Sequence, residues 1–83
     1  MTIDFSNIKL GMTRQDVINI LGEPINTSVI NKKRPYPDVL VYGDFNEMHY
    51  EFHFSSNKYK NATLVFVMKM PQHDIVSLEE LKK

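Results

Sequence analysis

Apolar positions along this 83-residue chain fall into two periods. Between Thr13 and Gly22 the period is helical: Val17, Ile20 and Leu21 lie at i, i+3 and i+4, one stripe of a helix surface. Thr13 is a good N-cap, Asp16 sits at the third helical position to close a capping box, and Met12 and Val17 are placed as a hydrophobic staple. Gly22 supplies a left-handed stop and Pro24 prevents continuation. A helix of about two and a half turns with one buried stripe follows.

Beyond Pro24 the period shortens to two. Residues 28–31 (Ser-Val-Ile-Asn) read as a short first strand, and 38–43 (Asp-Val-Leu-Val-Tyr-Gly) as a second. Between them Lys32-Lys33-Arg34-Pro35-Tyr36-Pro37 is a loop, because two prolines bracketing a tyrosine cannot join a ladder. Gly43-Asp44-Phe45-Asn46 reads as a turn. Residues 47–54 alternate cleanly: Met48, Tyr50, Phe52 and Phe54 point one way, and Glu47, His49, Glu51 and His53 the other. Residues 62–70 are apolar on both sides. Leu64, Phe66, Met68 and Met70 share one face, expected under the helix through Phe66 and Met68. Val65 and Val67 share the other, expected against the C-terminal segment, a second subunit or a partner. Ser77 and Glu80 repeat a capping pattern before Leu81. The predicted fold is α+β in one domain over residues 1–83. A helix packs on a three- to four-stranded antiparallel meander, and a short C-terminal helix docks through Leu78 and Leu81.

Composition narrows the function classes. Hydrophobic residues make up 42% of the chain, enough for a core. Ten basic residues balance ten acidic ones, so broad attraction to nucleic acid or to an anionic membrane is not expected. The Lys32-Lys33-Arg34 run is too short to track phosphates and reads as a solvated loop. No cysteine is present, which removes disulfides, thiol nucleophiles and zinc–thiolate sites. No apolar run nears the ~20 residues of a membrane span, and no signal peptide is visible in the first dozen residues. A cytoplasmic location is the expectation.

The segment Phe5-Ser-Asn-Ile8-Lys-Leu-Gly11-Met12-Thr13-Arg14-Gln15-Asp-Val17-Ile-Asn-Ile20-Leu-Gly22 resembles the opening of a β-lactamase-inhibitor-protein repeat. Continued through Glu23-Pro24, it is also similar to the SmpA/OmlA lipoproteins of outer-membrane assembly. Tyr42-Gly43-Asp44-Phe45 resembles the Gly-Asp-aromatic hairpin of the inhibitor family, and a Tyr-Gly-Asp hairpin in small bacterial immunity-type proteins. The resemblance implies helices on an antiparallel sheet and binding of protein partners without catalysis. The inhibitor family carries two repeats and disulfides, and the lipoproteins a lipidated cysteine; this chain has one repeat and no cysteine. In the inhibitor family the matching hairpin enters the target's active site, so the resemblance picks out Asp44 and Phe45.

His49, Glu51 and His53 share one strand face, the one cluster to test as a metal site, with His73 as a candidate further ligand. One strand supplies too few ligands, and a solvated face is the simpler reading, so no metal or other cofactor is predicted. No phosphate loop, nucleophile elbow or Ser/His/Asp order is visible, and the chain is not expected to be an enzyme. The predicted partner-binding residues are Asp44 and Phe45 at the hairpin tip, with Tyr36 held stiff between two prolines. The predicted function is an immunity or inhibitor protein that caps a toxin or enzyme. The alternative is a homo-oligomeric structural or accessory domain, a homodimer for instance, with Val65 and Val67 at the subunit interface; a distant alternative is a metal-binding or hydrolytic protein using the His49, Glu51 and His53 strand face.

Overall fold

The computed structural model describes residues 3–29 and 32–82. The elements run α1 (Arg14–Leu21), β1 (Asn26–Ser28), β2 (Val39–Gly43), β3 (His49–Phe54), β4 (Leu64–Met70), β5 (Asp74–Val76) and α2 (Leu78–Leu81). The strands form one antiparallel sheet in the order β1-β2-β3-β4-β5, so the meander has five strands rather than three or four. The first strand begins two residues before the expected 28–31, of which Ile30 and Asn31 lie outside the described residues. The fifth strand was not expected: three residues after Pro71 are too few to show a period.

α1 starts as its sequence dictates. Thr13 Oγ1 accepts the Asp16 N–H at 3.2 Å, and Asp16 Oδ2 accepts the Thr13 N–H at 3.1 Å. The buried stripe differs from the expected one. Val17 is buried, and Ile18 and Leu21 pack beside it, while Ile20 turns toward solvent. Arg14, one turn before Val17 and Ile18, claims a place on the buried side. Gly22 ends the helix at φ +85°, ψ −170°, a positive-φ region open to glycine, though extended rather than left-handed helical.

Both helices and the N-terminal segment lie on one side of the sheet. The core there joins Phe5, Ile8 and Val17 to Leu40, Phe52 and Leu64, and Leu81 docks α2 onto it. β4 does not alternate as its sequence suggests. Phe52 pairs with Val67 and His53 with Phe66, but Phe54 pairs with Leu64. Val65 is therefore one residue too many on β4, a β-bulge. The bulge reverses parity: Leu64 and Val67 both enter the core, each 1% exposed. Phe66 and Met68 fall on the opposite face, in register with His53 and Glu51, and not under α1. Val67 meets the C-terminal segment, paired with Val76; Val65 stays open to water.

Candidate functional site

Among the described residues, both helices lie on one face of the sheet and none covers the other. β3 runs through its middle and presents His49, Glu51 and His53, flanked in register by Val41 and Val39 on β2 and by Met70, Met68 and Phe66 on β4. Ile75 on β5 continues the row beyond Met68 and is 67% exposed. Val39 and Val41 are buried but do not belong to the core on the helix side.

Local contacts fix the three polar side chains in different directions. His53 Nε2 lies 3.1 Å from Glu51 Oε1, and its ring stacks on Phe66 with centroids 4.4 Å apart. His49 instead packs edge-on to Phe45, centroids 5.0 Å apart, and its Nδ1 is buried with no partner among the described residues. The imidazoles are thus drawn apart, one to Phe66 and one to Phe45. Among the described residues no three His, Asp or Glu side chains gather as metal ligands. His73 sits in the β4–β5 connection at φ +63°.

The hairpin tip is held by its own turn chemistry. The Asp44 N–H donates to Met48 O at 3.2 Å, and Glu47 N–H to Asp44 O at 3.0 Å. Asp44 Oδ1 accepts the Asn46 N–H at 2.9 Å, as an Asx turn does. Gly43 has φ +122°, and a Cβ there would meet His49 Cα and Met48 O at 2.8 Å each. Phe45 is 53% exposed. On the core side of the tip, a groove of about 670 Å³ runs past Phe5, Tyr50 and Leu81.

Tyr36 lies elsewhere. Its N–H donates to Asn57 O at 3.3 Å, and the Arg14 guanidinium sits over its ring at 5.6 Å. β2 separates it from Asp44 and Phe45, a strand of five residues spanning roughly 17 Å. The structure thus joins Phe45 to the His49 end of the bare face and leaves Tyr36 at the opposite end of β2.

Sequence reasoning missed Arg14. Its Nε donates to Pro37 O at 2.7 Å, Nη1 to Tyr59 O at 3.0 Å, and Nη2 to Ser56 O. The side chain is 6% exposed, and burial pulls its pKa down against the opposing pull of Asp38. Nothing local in the sequence signals this role, because the three carbonyls arrive from distant turns. Phe66, Met68 and Ile75 on the bare face were missed as site residues too; the signal was the two-sided apolar character of residues 64–70.

No helix among the described residues is long and apolar enough to cross a membrane. Compared with protein-family models, curated proteins and solved structures, the chain matches none.

Proposed function

We propose that this chain is a non-catalytic protein-binding module, an immunity or inhibitor protein that caps a toxin or enzyme in the cytoplasm. The observation that carries this reading is the hairpin tip. Phe45 is more than half exposed on a turn whose backbone Gly43 and Asp44 hold in place. An aromatic on a stiff turn loses little entropy when a partner covers it, which suits an interface anchor. Asp44 beside it offers a carboxylate for orientation by a basic site. The resemblance of Gly43-Asp44-Phe45 to the inhibitor family's target-entering hairpin favours the same element. The open groove on the core side of the tip gives a partner's side chains somewhere to seat.

The test begins with capture of partners by the tagged chain from its native cell and identification by mass spectrometry. Binding of the identified partner is then measured by calorimetry. Asp44→Ala and Phe45→Ala are each expected to weaken it by about 1–3 kcal/mol, roughly five- to 150-fold, with the melting curve little changed. Two variants that bind like the parent would remove the hairpin tip from the contact.

A further inference from the structure

We propose that the end of the sheet opposite the hairpin tip binds a short single-stranded nucleic-acid segment, its phosphates held by the cations of two adjoining loops and one base stacked on Tyr59.

The fold gathers cations that the sequence keeps apart. Residues 32–37, before β2, and 55–61, between β3 and β4, carry Lys32, Lys33, Arg34, Lys58 and Lys60 and no Asp or Glu. These are five of the chain's ten cations, all of them exposed, so a chain of zero net charge is strongly positive at one end. The two loops touch. The Tyr36 N–H donates to Asn57 O at 3.3 Å, and Arg14 joins Pro37 O to the Ser56 and Tyr59 carbonyls. Arg34 is two residues from Tyr36 and Lys58 one from Asn57, which places their Cα atoms within roughly 17 Å of each other. The carboxylates nearby are engaged. Asp38 Oδ2 accepts from the Asn57 side-chain amide at 3.1 Å, and Asp16 Oδ2 accepts the Thr13 N–H at 3.1 Å. The run at 32–34 is too short to follow a phosphate chain by itself; joined by Lys58 and Lys60 it becomes a cluster that can.

Tyr59 selects the kind of polyanion. Its ring is 55% exposed, and Lys58 Nζ lies 5.3 Å from the ring centroid. A phosphate-binding cation thus stands beside a stacking surface, the combination by which proteins hold single strands. An acidic peptide would pair with the cations and leave the ring unused. A duplex keeps its bases stacked on one another, whereas an unpaired base can lie on tyrosine. Arg14 fixes both loops through their backbone carbonyls, so little ordering entropy is lost on binding. The surface shares no residue with Asp44 and Phe45 and stands apart from the protein-binding reading.

Fluorescence anisotropy of a labelled oligothymidylate of about twelve nucleotides, titrated with the full chain at about 50 mM salt, is expected to saturate with a Kd below about 100 µM. With about four phosphate contacts, raising the salt to about 200 mM should weaken binding roughly fiftyfold. The double variant K32E/K58E should weaken it at least tenfold. Tyr59→Ala should weaken it about five- to 150-fold, and Tyr59→Phe should stay within about twofold of the parent. Circular dichroism and melting should be unchanged in all three, because the substituted side chains are exposed and Arg14 holds the backbone carbonyl of Tyr59. Asp44→Ala and Phe45→Ala should bind the oligonucleotide like the parent. No saturation at about 500 µM protein, or a Tyr59→Ala variant that binds like the parent, would overturn the proposal. So would a duplex of equal length that binds more tightly, or polyglutamate that competes as well as oligothymidylate, which would assign the cations to an acidic protein. Each of these failures leaves the hairpin-tip reading to its own test.

Discussion

The Arg14 guanidinium lies over the Phe54 ring at 5.1 Å. It also holds the carbonyls of Pro37, Ser56 and Tyr59, so the first turn of α1 is bound to the segment before β2 and to the β3–β4 connection, which meet at one end of the sheet. Lysine keeps the charge but not the planar fork. Arg14→Lys is expected to cost roughly 2 kcal/mol and Arg14→Ala roughly 3, since buried carbonyls lose their donors. Urea denaturation measures both, and a loss under about 0.5 kcal/mol for Arg14→Ala would show that water replaces the guanidinium freely.

Gly22 and Gly43 both have positive φ, but only Gly43 is also crowded. A Cβ on Gly22 meets nothing within 4 Å, so Gly22→Ala should cost only the backbone strain, about 1–3 kcal/mol. Gly43→Ala adds a collision with the His49 backbone and should cost more and disturb the hairpin. Thermal melting of the two variants should rank them in that order; the reverse ranking would mean that the tip relaxes easily.

Tyr42 predicts an alkaline limb. Burial, helped by the negative charge of Glu23, pushes its phenol up to about 12, and the hydroxyl donates to Gly22 O at 2.9 Å. The folded pKa exceeds the unfolded value near 10. The stability contributed by the neutral phenol is therefore full below about pH 10 and is lost as the pH rises toward 12. Tyr42→Phe should be less stable than the parent at neutral pH, by about 1 kcal/mol for the lost hydrogen bond. The gap between the two should narrow above pH 10. Denaturation midpoints at pH 7, 10 and 11 decide this, and a constant gap would contradict it.

The capping box gives a coupled pair. Thr13→Ala and Asp16→Ala should each lower stability by about 1 kcal/mol. The double variant should lose less than the sum, because each bond completes the other. Additive losses in a denaturation cycle would mean that the two bonds act independently.

Much of this fold was legible because local chemistry decided it. Thr13 and Asp16 fix the helix start by their own hydrogen bonds, and alternation from Tyr50 to Phe54 fixes the central strand. Asp44 and Phe45 were placed on a hairpin tip by turn residues alone. What escaped depended on residues far apart. Arg14 owes its burial to two distant loops that bring it three carbonyls. An unbroken period of two along β4 puts Phe66 and Met68 on the side of Leu64, beneath α1; the bulge at Val65 moves them to the other side. β5 is too short to have a period and exists by pairing with Val67, Met68 and Lys69. The bareness of one sheet face belongs to connectivity: every helix returns to the same side, and no residue records that by itself.

A strand with a strict two-residue period cannot ordinarily lose a residue, because every side chain beyond the gap changes sides. The bulge on β4 makes Val65 an exception. Without it, Leu64, Phe66, Val67 and Met68 would alternate inward and outward as they do now, on a straighter ladder. Versions of this chain one residue shorter at that point should therefore fold with the same core and the same outer row. Deletion of Phe66 would restore the same parity, but with Val65 in place of the aromatic that stacks on His53. The chain thus has one place in β4 where its length is free to drift.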